Sequence, residues 1–134
     1  MATRGIRNNN PCNIRRTKTV WLGQVDSGLE RSFVVFSDRI YGYRATFKLL
    51  HNYLNQGVNT IGKIISRWAP SSDGNNTQSY IRHVSQTTGI DASTVIAWEE
   101  RDKLIDIVRS MAHIESAIIE DRTILARGYD LANE

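Results

Sequence analysis

The stretch at residues 104–119, LIDIVRSMAHIESAII, constrains the fold more than any other. Leu104, Val108, Met111, Glu115 and Ile118 recur at spacings of 4, 3, 4 and 3, which is one face of an amphipathic helix. Asp106, Arg109, Ser110, His113 and Glu120 fall elsewhere on the wheel, where water can reach them. Glu115 is the exception, a carboxylate on the stripe that faces a core. Two readings follow. Either Glu115 sits at the rim of the stripe and reaches out to water, or it is partly desolvated, with a raised pKa of the kind a general acid needs near neutral pH.

A chain of 134 residues is long enough for one domain with a proper core. Its 40% hydrophobic and 23% charged residues are ordinary for a globular protein, and no uninterrupted apolar run approaches a membrane span. The opening MATRGIRNNN has no apolar segment of secretory type, so no signal peptide and no stable membrane insertion are expected. Cys12 is the single cysteine, which excludes an intrachain disulfide and a thiolate zinc cluster. His51, His83 and His113 show no metal-ligand spacing. A net charge of +3 suits an anionic partner such as a nucleic acid or a bacterial cell wall.

Residues 1–19 hold Arg4, Arg7, Arg15, Arg16 and Lys18, as a nucleic-acid-binding arm would. The run Asn8-Asn9-Asn10-Pro11 is turn chemistry, however, and Ile6 and Ile14 can pin its ends, so an ordered loop is expected instead. Residues 20–25 and 32–36 are β-branched and aromatic, and Asp26-Ser27-Gly28 between them predicts a hairpin. Ser37-Asp38 starts a helix that stops at Gly57. Asn59 or Thr60 caps a second, which Pro70 ends, and a third runs over about residues 77–87 to Gly89. Asp91 or Ser93 is expected to cap a segment that runs through Val95, Ile96 and Trp98 into the Glu115 helix. A last helix is expected over residues 121–131. The sum is a mainly α (α+β) single domain with one small hairpin.

Neither a phosphate-binding glycine loop nor a G-x-S-x-G elbow is present. What remains is glycoside chemistry, in which a carboxylic acid protonates a leaving oxygen. Asp26 and Glu30, on the expected hairpin, are candidates for a second carboxylate, or simply solvated loop acids. Trp21, Trp68 and Trp98 are candidates for stacking on sugars, or for the core.

The stretch Arg4-Gly5-Ile6-Arg7-Asn8-Asn9-Asn10-Pro11-Cys12-Asn13-Ile14-Arg15 resembles the RGIRNNNPGNIR opening of a family of small phage and prophage lysozyme-like proteins. The likeness continues through Phe33-Val34-Val35-Phe36-Ser37, Tyr41-Gly42-Tyr43-Arg44-Ala45, Arg67-Trp68-Ala69-Pro70 and Asn76-Thr77. Residues 77–84 resemble the T-x-x-Y-[VI]-x-x-V stretch of soluble lytic transglycosylases, whose tyrosine lies beside the catalytic glutamate. Met111-Ala112-His113-Ile114-Glu115-Ser116 is similar to their catalytic helix. In those enzymes that helix comes first, whereas here it comes near the end, so the resemblance implies a circularly permuted lysozyme-like domain.

The implied activity is cleavage of the β-1,4 bond between N-acetylmuramic acid and N-acetylglucosamine in peptidoglycan, by a lytic transglycosylase or a muramidase. Glu115 would be the general acid, with Tyr80 beside it. Asn8, Asn9, Asn10, Asn13, Thr77 and Ser116 would bind substrate. Read without the resemblance, Tyr80 is equally a core ring, and Asn13 and Thr77 have ready roles in a turn and at a helix start. No metal or organic cofactor is implied, and neither a nucleic-acid partner nor an oligomer. The expected setting is a phage endolysin released from the host cytoplasm through a holin, or a virion-associated lysin acting as a monomer. The alternative is a non-catalytic glycan-binding or structural virion protein that keeps the fold. The chain departs from the family's pattern with Cys12 and Ala117 where glycine is usual, and Tyr43 where isoleucine is usual.

Overall fold

A computed structural model describes residues 2–28 and 30–134. It is mainly helical with one small antiparallel sheet. In order, α1 (Arg4–Arg7), β1 (Gln24–Val25) and β2 (Val35–Phe36) are followed by α2 (Arg39–Asn55) and α3 (Ile61–Trp68). A 3-10 turn (Ser71–Asp73) leads to α4 (Thr77–Thr88), α5 (Arg101–Ser116) and α6 (Arg122–Ala132). No helix among the described residues is long and apolar enough to cross a membrane.

The helix starts follow local chemistry. Asp38 accepts a hydrogen bond from the Ile40 amide at 2.9 Å, Thr60 from Lys63 at 3.1 Å, Asn76 from Ser79 at 3.1 Å and Asp121 from Thr123 at 2.8 Å. Each satisfies an amide the helix leaves unpaired. Gly57 and Gly89, at φ 79° and 72°, end α2 and α4 in the left-handed conformation glycine favours.

The core forms where α2, α5 and α6 meet α3 and α4. Phe47 and Leu50 of α2, Ile64 of α3, and Leu104, Val108 and Met111 of α5 are fully buried. Burying a side chain of this kind contributes roughly 1.5–3 kcal/mol. A smaller cluster of Ile14, Val34, Phe36 and Ala45 seats the sheet against α2. Gly42 lets α2 approach the Asn-rich loop, because a Cβ there would stand 2.4 Å from the carbonyl oxygen of Asn9. Gly5 does the same for α1 against α5, where a Cβ would meet Ser116 Oγ at 1.7 Å.

Several boundaries differ from the sequence reading. Within the expected ordered loop, Thr3 caps the four-residue α1. The hairpin is much shorter than expected, pairing Gln24 with Phe36 and Val25 with Val35, with a separate bridge between Arg15 and Phe33. Residues 20–23 turn instead of extending. The Gln24 amide bonds to Trp21 O at 3.0 Å, and Gly23 adopts φ 81°. The segment through Val95 and Trp98 is not helical, since the Ile96 amide bonds to Asn59 O at 2.8 Å and Gly62 N to Ala92 O at 3.0 Å. A short apolar run of this kind has no period that separates helix from extended chain. Helix α5 therefore begins at Arg101 and ends at Ser116, which leaves Ile118 outside it.

Cys12 needs no glycine, because it is absent from the positive-φ residues. It is wholly buried, and burial raises its thiol pKa, so it behaves as an inert core residue. Ala117, in contrast, has φ 56° at the end of α5. A left-handed alanine costs about 1–2 kcal/mol, against which glycine's greater freedom in the unfolded chain offsets about 0.5–1 kcal/mol. Since Ala117 is exposed, Ala117→Gly is expected to stabilise the protein by about 0.5–1 kcal/mol. Urea denaturation measures this, and an unchanged or lower midpoint would mean the φ carries no strain.

Candidate active site

Glu115 lies in the last turn of α5, half-buried, and its two carboxylate oxygens have different partners. Asn13 Nδ2 donates to Oε1 at 3.1 Å and also to the Glu115 backbone oxygen at 3.1 Å. The Tyr80 hydroxyl donates to Oε2 at 3.1 Å. Glutamate, asparagine and tyrosine come from α5, the N-terminal loop and α4, so three remote segments converge on one carboxyl group.

Each position has a local cause. Asn13 adopts φ 55°, a left-handed conformation that asparagine tolerates better than most residues, and this turns its amide toward α5. Tyr80 projects from the first turn of α4 with its ring buried, and burial raises its pKa well above 10, which keeps the hydroxyl a proton donor. Ser116 Oγ donates to Pro11 O at 2.6 Å, and Thr3 Oγ1 donates to Ser116 O at 2.7 Å. These bonds tie the end of α5 to the chain just ahead of Asn13 and to the start of α1.

The Glu115 pKa is raised from the ordinary 4.5, with burial as the largest cause. Hydrogen bonds from Asn13 and Tyr80 and the nearby charges of Arg4 and Arg15 pull the other way. The α5 C-terminus adds the negative end of a helix dipole, which also favours the protonated form. Asn13 Oδ1 is buried without a partner. A half-turn of that amide presents Oδ1 to the protonated carboxyl, so the pair can bond in either protonation state.

Two chambers meet at this carboxyl. One, of about 410 Å³, is lined by Trp21, Tyr53 and Trp68 together with Arg15, Arg67 and Asp73. The other, of about 450 Å³, is lined by Tyr80, Ser79, His83 and Asn76. Arg4, Asn13, Asn75 and Glu115 line both, so the carboxyl stands at their junction.

The remaining sequence candidates stand elsewhere. Asn10 is fully buried and bonds to Ile14 O at 3.0 Å, to Val34 O at 2.8 Å and to the Ile14 amide at 2.9 Å. Asn9 donates to Phe36 O at 3.0 Å, and Asn8 to Glu30 Oε1 at 3.0 Å. Ser116 and Thr77 are buried too, Thr77 Oγ1 donating to Ala69 O at 2.6 Å. Their side chains hold the loop and the helix ends and do not line the chambers around Glu115. Glu30 is engaged by Asn8, which lowers its pKa, and Asp26 accepts from the Gly28 amide at 3.0 Å. Neither lines the groove. Trp98 stacks between His51 and Tyr129, away from it. Arg4, Arg15, Asn75 and His83 line the groove without having been singled out for it. In the sequence Arg4 and Arg15 are only part of a basic N-terminal motif, Asn75 part of a polar turn and His83 a histidine without metal-ligand spacing. Among the described residues no three histidine, cysteine or acidic side chains are grouped to hold a metal ion.

Removing one donor from Glu115 tests the arrangement. Tyr80→Phe is expected to change stability by only about 1 kcal/mol, the net value of one hydrogen bond. Because the hydroxyl holds the carboxyl's pKa down, its loss is expected to raise that pKa further. Asn13→Gly keeps the left-handed backbone and removes the amide, and is expected to move the pKa in the same direction. Carboxyl titration by NMR measures both shifts, and no upward shift in either variant would mean that the two groups do not bond the carboxylate in solution.

No protein-family model matches the chain. Protein P5 of Pseudoalteromonas phage PM2 is 39% identical over 93 residues, a match covering 66% of this chain and 58% of that protein. The chain thus spans a little over half of that relative's length. The similarity links it to a bacteriophage protein.

Proposed function

We propose that this protein is a peptidoglycan-cleaving glycosidase with a circularly permuted lysozyme-like domain, acting on the β-1,4 bond between N-acetylmuramic acid and N-acetylglucosamine. The observation that carries this reading is the half-buried Glu115 carboxyl, of raised pKa, held by Asn13 and Tyr80 where two sugar-sized chambers meet. Asn13 lies 102 residues from Glu115 along the chain. A glutamate helix moved to the end of the sequence around a conserved cleft accounts for that separation.

In this mechanism the strand crosses the junction with its scissile bond beside Glu115. The protonated carboxyl gives its proton to the bridging oxygen as the bond from that oxygen to the muramoyl C1 breaks. The carbonyl oxygen of the same sugar's acetamido group closes on C1, so a second carboxylate is not required. Glu115, now ionised, takes a proton from the muramoyl C6 hydroxyl as that oxygen attacks C1 and displaces the acetamido oxygen, or from water in a hydrolytic variant. The first route leaves a 1,6-anhydro end and the second a reducing end. Asp26 and Glu30 line neither chamber, and Asp73 is the further carboxylate among the described lining residues.

The phage relative supports a bacteriophage setting, in which this activity would serve an endolysin released through a holin or a virion component working as a monomer. The decisive experiment incubates the protein with purified sacculi and identifies the soluble muropeptides by mass spectrometry. Anhydro ends support the transglycosylase and reducing ends the muramidase. Retention on the sacculi without release would make the protein a glycan-binding module instead.

A further inference from the structure

The chamber walled by Trp21 and Trp68 carries a charge pattern that acid catalysis does not use. The Arg4 guanidinium lies 3.8 Å from the Phe33 ring centre and the Arg15 guanidinium 4.9 Å from it. Both line the chamber beside Glu115, and Arg4 also lines the second. Neither forms an ion pair with a carboxylate among the described residues, in contrast to Arg39, Arg101 and Arg122. Phe33 is buried, and its backbone bridges to Arg15. Its ring is therefore a fixed platform that holds two cations in place. Guanidinium groups stacked on a buried ring and held in no ion pair among the described residues are a site for an oxyanion, and their planar fork matches a carboxylate.

A neutral glycan has no use for such a pair. We propose that Arg4 and Arg15, held over Phe33, form a carboxylate-recognition subsite that selects glycan strands bearing an acidic substituent next to the bond being cut. This rests on the reading of the groove as a peptidoglycan site. The carboxylate has two possible sources on such a strand, the lactyl group of the muramoyl sugar and the stem peptide attached to it, and the chemistry at the arginines is the same for both. The subsite also has a consequence for Glu115. An anion between the arginines neutralises charge that otherwise lowers the Glu115 pKa, so an acidic strand favours the protonated acid in a way a neutral strand does not.

The test measures binding by calorimetry with the Glu115→Gln protein, which holds strands without cutting them. Three soluble ligands are compared: a neutral N-acetylglucosamine oligomer, a peptidoglycan strand stripped of its peptides by an amidase, and a strand with stems intact. The acidic strands are expected to bind about tenfold tighter than the neutral oligomer at low ionic strength. That preference should shrink at high salt, because the arginines are exposed and screened. It should be lost in Arg4→Gln/Arg15→Gln and retained only in part with lysine at both positions, which keeps the charge but not the planar fork. A gain already present with the stripped strand identifies the lactyl carboxylate, and a gain confined to the stem-bearing strand identifies the peptide. Equal affinity for all three ligands overturns the subsite while leaving the glycan reading standing, as does a preference that survives loss of both arginines. Failure to bind any of the three overturns both. Should the double glutamine variant not fold, the salt dependence in the parent protein decides, and a salt-independent preference rejects the subsite.

Discussion

Glu115→Gln is expected to lower wall-clearing activity by a factor of about 10²–10⁴, the usual contribution of a general acid, while the protein remains folded. Glutamine has the size of the residue it replaces. Its oxygen can accept from Asn13 Nδ2 and its amide can donate to the Tyr80 oxygen, so both contacts of the carboxylate have a counterpart. What it cannot do is release a proton. The same substitution reports the environment of the carboxyl. A folded-state pKa above 4.5 means that the folded protein binds the proton more tightly than the unfolded chain does. The group's stabilising contribution is therefore fully present below 4.5 and is lost as pH rises through the folded value. Glutamine does not titrate, so the variant should gain on the parent in paired urea melts as pH rises from 4.5 through the folded value. More than half of the parent activity in the variant would remove Glu115 from the mechanism. A stability difference that does not change with pH would mean that the carboxyl is as well solvated as in the unfolded chain.

Asn10→Ala is expected to destabilise the protein by about 3–5 kcal/mol, more than any other single change in the Asn-rich loop. One side chain, fully buried, bonds two carbonyl oxygens and one amide of the segments it joins. Truncation strands all three, and each unsatisfied buried polar group costs about 1–3 kcal/mol, partly relieved where water can enter. The net stability of a domain this size is of the order of 5–15 kcal/mol, so the loop that carries Asn13 is expected to loosen at physiological temperature. Asn10→Asp should do no better, because it keeps the acceptor for the Ile14 amide but loses both donors and buries a charge. Asn8→Ala is the control. It removes a single bond to the exposed Glu30 and should change stability by well under 1 kcal/mol. Chemical denaturation of the three variants measures the series, and a loss of under about 1 kcal/mol for Asn10→Ala would show that the loop is held by other contacts.

Much of this protein follows from interactions confined to a few neighbouring residues. The caps at Asp38 and Thr60 bond amides two and three positions ahead, and Gly57 and Gly89 end their helices through their own backbone freedom. Such features depend only on nearby residue types, which is why the mainly helical class and most helix ends could be read from the sequence. The spacing from Leu104 to Met111 and on to Glu115 likewise put a carboxylate on the apolar stripe of a helix, leaving open whether it reached water or was partly desolvated.

The hairpin could not be read the same way. Its extent depends on Gly23 turning the chain beside Tyr41, and the extended course of residues 95–98 depends on bonding to the chain ahead of α3, both set by segments distant in sequence. The division of labour among the asparagines was equally invisible. Asn8, Asn9, Asn10 and Asn13 are one residue type in one turn-rich run, and nothing local distinguishes Asn10, which holds the loop from within, from Asn13, which reaches Glu115 across 102 positions. Residue type and periodicity determined that a glutamate would lie on the apolar stripe of its helix. Which donors hold it, and which cations surround it, were decided by the packing of α1, α4 and α5, because side chains that far apart come together only when the tertiary fold closes.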